Sequence, residues 1–225
     1  MSKISIVVDL ADPMSVSNVS DSENKIMGLC FYSLKALGVK GTILATKSAI
    51  VTTEGRPRYT KLALSLLRYY GWELGISDNF LGDEITRYSP QETQLAAVKT
   101  IVNYCKVCGS VYDPITSYMP QGAVNPETEY SLAKIGINAV TWQADPIFNL
   151  KAVVPTADYA STPNLLALLD GSDIVLKIST KDMPLCNSYV GYMPDVAAFV
   201  QEAKARGYSF CKIMSFNYFF GWNNK

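Results

Sequence analysis

The side chains in this chain that are best suited to chemistry are carboxylates that follow predicted β-strands. Asp9, Asp12, Asp78 and Asp145 all occur at or just after a run of β-forming residues. The carboxyl ends of parallel strands meet at one end of a barrel, where its active site lies, so these aspartates are able to gather there. Their oxygens would suit Mg²⁺ or Ca²⁺. Aspartate is also common in turns and helix caps, and we favour that role for all except Asp9, which we expect to point into a cleft.

Histidine is absent from all 225 residues. Histidine is the commonest metal ligand and the usual proton carrier near neutral pH. Its absence excludes a Ser-His-Asp triad, a Cys-His pair, a histidine-ligated zinc and a histidine proton shuttle. Any chemistry in this chain must therefore depend on carboxylates, amines, hydroxyls or thiols.

Two further charged residues lie in predicted strands and have two interpretations each. Glu73, in the segment GWELG, is either a site carboxylate or a structural residue. Lys177, in the apolar segment IVLKI, is either a neutral amine acting as a nucleophile or an outward-facing strand lysine. Side chains alternate between the two faces of a strand, so Lys177 lies opposite its apolar neighbours, which favours the second interpretation.

The five cysteines do not indicate a metal or redox site. An odd number leaves at least one thiol unpaired within the chain. Cys105 and Cys108 form a C-x-x-C pair, but it lies at the end of a predicted helix and has no second pair of ligands. We expect buried or half-buried thiols of the ordinary kind at these positions and at Cys30, Cys186 and Cys211.

The composition indicates a globular protein without a nucleic-acid footprint. Apolar residues make up 48% and charged residues 18%, and the formal net charge is zero. No lysine or arginine cluster is evident, so we expect no nucleic-acid partner. Zero net charge removes the repulsion between copies, which favours self-association. The N-terminus runs directly into a predicted strand and no apolar run is long enough to span a bilayer, so we expect no membrane contact and a cytoplasmic location.

Strands and helices alternate along the chain, which predicts an α/β fold with a parallel sheet in a single barrel-like domain over residues 1–225. A loop is predicted over 112–122. The predicted strands are 4–10, 41–47, 72–77, 137–142, 173–178 and 208–214. The predicted helices are 22–37, 58–71, 89–109, 126–136, 162–171 and 193–207.

Six segments in this order resemble the polysaccharide deacetylase (NodB homology) family. SIVVDLADP resembles its first strand with an aspartate pair, and GVKGTILATKS resembles its second strand. LLRYYGWELGISDNFL falls where the family has two metal-binding histidines. The remaining three are YMPQGAVNPETEYSLAKIGINAVTWQADP, DGSDIVLKI and YMPDVAAFVQEAKARGYSFCKI. The resemblance covers nearly the full length and implies a distorted, incomplete (β/α) barrel.

The resemblance also implies where the family's functional residues would fall, and most of these positions carry unsuitable side chains. Asp9 matches the aspartate that acts as the base, and Asp145 falls near the aspartate of the fourth motif. The position of the metal-binding aspartate falls on Leu10 or Ala11, and Asp12 matches it only after a shift of one residue. The positions of the two metal histidines, the arginine, the tyrosine and the catalytic histidine are occupied by Ser77, Leu81, Tyr118, Gln121 and Ile178.

This substitution pattern predicts a protein that no longer deacetylates. Zinc sites use about four ligands, mostly nitrogen or sulfur, and Asp9 with one serine does not supply them. Without a metal nothing generates a nucleophilic water near pH 7, and without histidine no evident group protonates the leaving amine. We therefore expect no catalytic residue and no metal or other cofactor.

Aromatic residues suggest two surfaces. Trp72, Tyr118 and Trp142, with Asp9, either line a glycan groove or fill the mouth of the barrel. The tail at 216–225 either closes the barrel bottom or contacts another copy of the chain. Its aromatic residues are Phe216, Tyr218, Phe219, Phe220 and Trp222.

Three functions follow from these observations. The one we favour is a non-catalytic deacetylase-like protein reused as a structural, storage or self-assembling protein, whose partner is itself. The second is a glycan-binding module that retains the groove. The third is a hydrolase with altered chemistry, based on Asp9 with another carboxylate or on Lys177.

Overall fold

A parallel β-sheet with helices against it forms the framework of the protein. The structure is a computed structural model that describes residues 1–10, 27–45, 69–77, 117–119, 138–139, 155–183 and 193–213. The eight strands are β1 (Lys3–Leu10), β2 (Thr42–Ala45), β3 (Glu73–Ser77), β4 (Ser117–Met119), β5 (Asn138–Ala139), β6 (Ala157–Asp158), β7 (Ile174–Ser179) and β8 (Ser209–Phe210). The longer helices are a π-helix (Met27–Lys35) and α1 (Pro194–Ala205).

Strand β1 is the centre of the sheet. The order is β5-β4-β3-β2-β1-β7-β6, and β8 also pairs with β1. The upper half of β1, from Val7 to Leu10, pairs with β2, while Lys3 and Ile4 pair with β8. All pairs between the described strands are parallel, which confirms the predicted α/β class. Closure into a barrel stays a prediction, because the described pairings form an open path.

The alternation of side chains along the strands gives the sheet two different faces. On one face, here called the helix-covered face, Ile4, Ile6 and Val8 of β1 pack with the π-helix and α1. The other face carries Asp9 and Glu73 and is called the carboxylate face. Its apolar cluster is small, consisting of Val7, Leu44, Met119, Val175 and Ile213 with Cys211 packed against it.

Most predicted strands are confirmed where the structure describes them, because apolar β-forming runs are buried on one or both faces. Strands β1, β2, β3 and β7 match their predictions closely, and β5 occupies the start of the strand predicted at 137–142. The last strand is shorter than predicted, ending at Phe210 instead of 214. Strand β4 corrects the predicted loop at 112–122, and β6 was not predicted, since two or three residues are too few to show a period.

The prediction of a helix at 162–171 is wrong. A short 3₁₀ turn, Tyr159–Ser161, precedes this segment, and a second one, Leu165–Leu168, lies within it. Pro163 and Asn164 interrupt the segment, and the Asn164 side chain accepts the N–H of Leu166, which starts a new turn instead of continuing one.

A tight turn then ends this segment before β7. Gly171 has φ +98°. The Asp170 carboxylate accepts hydrogen bonds from the Ser172 hydroxyl at 2.5 Å and the Ser172 N–H at 2.9 Å. These hydrogen bonds hold the pKa of Asp170 below its usual value.

The two longer of the described helices lie where the sequence predicts helices. The helix predicted at 22–37 is described from Met27 and has π rather than α geometry, and Gly38 ends it with φ +68°, as predicted. Helix α1 starts with Pro194 in its first turn. No helix in the described part of the chain has the length and apolar character needed to cross a membrane.

Phe199 tests how far α1 stabilises the sheet. Its side chain is fully buried on the helix-covered face, so Phe199→Ala should lower the free energy of unfolding by about 3–5 kcal/mol. Gln201→Ala, an exposed position on the same helix, should change it by less than about 0.5 kcal/mol. Urea unfolding followed by circular dichroism measures both. Equal effects of the two substitutions would contradict this packing of α1.

Candidate functional site

The carboxyl end of the sheet holds a buried polar cluster formed by Asp9, Ser179 and Thr180. Asp9 is 2% exposed, Ser179 4% and Thr180 1%. Asp9 lies directly opposite Ser179 in the pairing of β1 with β7, and opposite Leu44 in the pairing of β1 with β2. The strand register therefore brings the hydroxyl-bearing Ser179 next to the one family-like aspartate on β1, and Thr180 follows Ser179 in the chain.

The residue that lies opposite Asp9 on β7 is Ser179, whereas Ile178, which the resemblance aligns with the family's catalytic histidine, lies opposite Val8. Ile178 is fully buried on the helix-covered face, opposite Val8. A side chain at this position points away from Asp9, because successive residues of a strand face opposite ways. The alignment of Ile178 with the catalytic histidine stays a prediction of the resemblance.

Further towards the amino end, Glu73 is the centre of a buried hydrogen-bond network. Glu73 is 7% exposed and starts β3. Its carboxylate accepts a hydrogen bond from the Thr42 hydroxyl at 2.7 Å and another from the Ser117 hydroxyl. The Thr42 oxygen in turn accepts the N–H of Ile213 at 3.0 Å. The network thus joins β2, β3, β4 and the segment after β8.

Gly75 permits this network to form. A Cβ at Gly75 would lie 2.7 Å from the carbonyl oxygen of Ser117 and 2.8 Å from its Cβ. These distances are shorter than packing allows, so only glycine lets β4 come this close to β3. Glu73 therefore has the structural role, the second of its two predicted interpretations, and Thr42 and Ser117 are partners that no sequence pattern revealed.

Lys177 is engaged in an ion pair on the carboxylate face. Its ammonium lies 3.2 Å from the Asp158 carboxylate, and the two side chains are 20% and 36% exposed. Asp158 also accepts the N–H of Ala160 and so caps the 3₁₀ turn that follows β6. The ion pair joins β6 to β7, so the ammonium of Lys177 takes part in a contact between strands.

Trp72 lies in the core and not beside Asp9. It is 4% exposed and packs with Val39, Ile43 and Leu74 on the helix-covered face. Its indole therefore offers no flat surface for a sugar ring, and it does not belong to the predicted groove.

The other predicted site residues have partial descriptions or none. Leu10 ends β1, Ser77 ends β3 opposite Met119, and Tyr118 is the middle residue of β4 opposite Ile76 and Ala139. The remaining predicted positions lie outside the described residues, namely Asp12, Asp78, Leu81, Gln121, Trp142, Asp145 and the tail at 216–225.

The two described cysteines are thiols with low reactivity. Burial raises the pKa of Cys30 far above its usual value. Burial also raises the pKa of Cys211 to about 11, with the Asp173 and Glu73 carboxylates adding to the effect and Lys3 opposing it. Both remain protonated near neutral pH, and a thiol in that form is neither a good nucleophile nor a good metal ligand.

Around Asp9, the residues that the structure describes do not fit the divalent metal that the resemblance implies. Asp9 supplies one carboxylate, while Ser179 beside it supplies a neutral hydroxyl. Among the residues that the structure describes, no three histidine, cysteine, aspartate or glutamate side chains come close enough to hold a metal ion. What the cluster offers chemically is a buried carboxylate on a strand that pairs with a serine-bearing strand, and one oxygen of this carboxylate, Oδ1 of Asp9, has no hydrogen-bond partner among the described residues.

In three-dimensional comparison, the chain resembles a crystal structure of a "putative polysaccharide deacetylase" from Mycobacterium smegmatis. The superposition covers 96% of this chain and 88% of that chain, with a TM-score of 0.59 and 12% sequence identity. At this identity the likeness shows a shared fold and nothing finer. No known protein family matches the sequence, and no curated protein does.

Removing the Glu73 carboxylate tests the structural role of the network. Glu73→Ala leaves two buried hydroxyls without their acceptor and should lower the free energy of unfolding by about 3 kcal/mol. Glu73→Gln retains one carbonyl acceptor and should cost about 1 kcal/mol. Thermal and urea unfolding of the full chain measure these differences.

Glu202→Gln is the matched control, because Glu202 makes only an exposed ion pair with Arg206 at 2.8 Å. It should change stability by less than about 0.5 kcal/mol. A cost for Glu73→Ala no larger than that of the control would show that the network does not stabilise the sheet.

Proposed function

We propose that this chain is a non-catalytic protein with a polysaccharide-deacetylase-like fold, reused as a structural, storage or self-assembling protein. The observation that carries the proposal is the surroundings of Asp9. The one aspartate that matches the family's base is accompanied on β7 by Ser179, in a sequence with no histidine at all. The finer architecture we propose is the incomplete (β/α) barrel implied by the sequence resemblance.

The chemistry of amide hydrolysis explains why these surroundings argue against catalysis. The reaction needs an activated water and an acid that protonates the departing amine. Ser179 and Thr180 have neutral hydroxyls, which do neither near pH 7, and Lys177 is held by Asp158. Asp9 alone is able to accept a proton, but it is 2% exposed, which restricts the approach of a substrate.

Two properties of the sequence favour assembly over a purely monomeric role. The formal net charge is zero, which weakens the repulsion between copies. The tail at 216–225 concentrates aromatic residues of the kind that are common in protein interfaces.

Glycan binding at the carboxyl end of the sheet is the second candidate. It is favoured by the position of Asp9, Ser179 and Thr180, because ligands of parallel α/β proteins bind at the carboxyl ends of strands. Carboxylates and hydroxyls are also suitable hydrogen-bond partners for sugar hydroxyls. Trp72 no longer supports this candidate, since it is in the core. The altered hydrolase is the weakest of the three, because its proposed lysine is ion-paired.

Self-assembly is tested by measuring the solution mass with light scattering over a range of protein concentration. The chain should form dimers or larger species, and Phe219→Ser with Phe220→Ser should shift them towards the monomer while the far-ultraviolet circular dichroism stays unchanged. Leu166→Ser, at a described apolar position that is 42% exposed, is the control and should leave the mass unchanged.

A monomeric wild-type chain at every concentration would contradict the assembly proposal. Unfolding of the double tail variant would instead place the tail in the core. In that case the solution mass of the wild-type chain alone decides whether the chain self-assembles.

Loss of catalysis is tested with N-acetylated chitin oligosaccharides, with release of acetate as the readout. We expect no release above the uncatalysed rate, with or without added Zn²⁺ or Co²⁺. Turnover that disappears in Asp9→Asn would contradict a non-catalytic role. Oligosaccharide binding without turnover, weakened in Asp9→Asn, would favour the glycan-binding candidate.

A further inference from the structure

At the amino end of the sheet, two turns bring exposed aromatic rings and lysines onto one surface. The turn at 36–38 follows the π-helix, and the turn at 69–71 precedes β3. The N–H of Glu73 donates to the carbonyl oxygen of Gly41 at 3.1 Å, which holds the two connections side by side. This surface lies at the opposite end of the strands from Asp9. We call it the Tyr-Lys surface, and it consists of Lys35, Lys40, Tyr69, Tyr70 and Lys204.

The two tyrosines give this surface a fixed aromatic face. Tyr69 is 83% exposed and Tyr70 37%. Their ring centroids are 5.4 Å apart and the planes meet at 79°, an edge-to-face contact. The Lys35 ammonium lies 3.3 Å from the centroid of Tyr70, which adds a cation–π contact. These contacts hold Tyr70 in place and leave Tyr69 projecting into solvent beside a positive charge.

Two further lysines lie at the two turns. Lys40 packs against Gly71, in the same turn as the two rings. The Lys204 ammonium reaches from α1 to donate to the carbonyl oxygen of Leu37, next to the other turn. This bond uses one of its three N–H donors. Among the described residues, neither Lys40 nor Lys204 has a carboxylate within ion-pair distance, although the whole chain is neutral.

We infer that the Tyr-Lys surface binds an acidic polysaccharide. An exposed aromatic face stacks on the apolar face of a sugar ring, and neighbouring ammonium groups pair with the carboxylates of uronic acid residues. Nucleic acid is the poorer fit, because its binding depends on neutralising many phosphates and this surface offers three lysines. The site is distinct from the cluster around Asp9 and goes beyond the proposed structural function.

The test uses the full chain and a fluorescently labelled polygalacturonate oligosaccharide, with binding followed by fluorescence anisotropy. The acidic oligosaccharide should bind, and raising the salt from about 0.05 M to about 0.5 M should weaken binding, since exposed charges are screened. Lys40→Gln with Lys204→Gln should weaken it by about threefold to tenfold. Tyr69→Ala should weaken it by a similar factor, about threefold to tenfold, at a position that is too exposed to affect folding.

Arg206→Gln is the matched control variant. It removes one positive charge near the same end of α1, but on the side that contacts the carbonyl oxygen of Leu169. It should change affinity by less than about twofold, because its charge is already compensated by Glu202. Light scattering of each variant separates a change in binding from a change in assembly.

Four results would overturn the inference. They are no binding of the acidic oligosaccharide, an equal loss in Arg206→Gln, tighter binding of a single-stranded DNA of equal charge, or loss of binding in Asp9→Asn but not in Tyr69→Ala. The last result would locate glycan binding at the carboxyl end of the sheet, and it would leave the second candidate function standing.

Discussion

A buried carboxylate must receive hydrogen bonds, and the need to satisfy Glu73 determines how the strands around it are arranged. Its two partners come from neighbouring strands, the Thr42 hydroxyl from β2 and the Ser117 hydroxyl from β4. Thr42 also receives the backbone N–H of Ile213, so the carboxyl-terminal part of the described chain joins the same network. A shift of β2 or β4 by one residue would turn its hydroxyl to the other face of the sheet and remove that donor from the buried carboxylate.

This constraint separates the two ends of the sheet. The polar groups near the amino end are used to hold strands together, and Gly75 provides the space they need. The carboxyl end retains Asp9 with Ser179 and Thr180, all buried. The network around Glu73 and the cluster around Asp9 therefore lie at different levels of the sheet.

The long apolar strands were predicted from the sequence more accurately than the short strands and the segments between them. Apolar runs such as ISIVVDL and IVLKI are typical of strands buried in a parallel sheet, so β1 and β7 were predictable from these runs alone. Strands β4 and β6 were not, because two or three residues carry no period and are held by pairing to a neighbour. The helix prediction for 162–171 was wrong because the cap at Asn164 and the turn at Asp170 outweigh the helical spacing of the leucines in this segment.

The candidate site was predicted in part. Asp9 was identified from its position at the end of a strand, and its burial on the carboxylate face agrees with that position. Ser179 was missed, since only the register of β1 with β7 shows which residue of an apolar strand lies beside Asp9. For Trp72 the sequence left a glycan groove and the filled mouth of the barrel as alternatives, because a tryptophan before a strand does not reveal which face of the sheet it joins. Hydrogen-bond partners that are far apart in sequence, as Glu73 and Ser117 are, leave no local signal.

We propose that the Asp9 cluster holds no divalent metal and does not catalyse deacetylation. The most direct measurement is a titration of the purified chain with Co²⁺, followed by its visible absorption spectrum and by calorimetry, with Asp9→Asn in parallel. We expect no saturable binding and identical traces for the two proteins. One equivalent of tightly bound cobalt per chain, lost in Asp9→Asn, would contradict the proposal and favour a metal-dependent hydrolase.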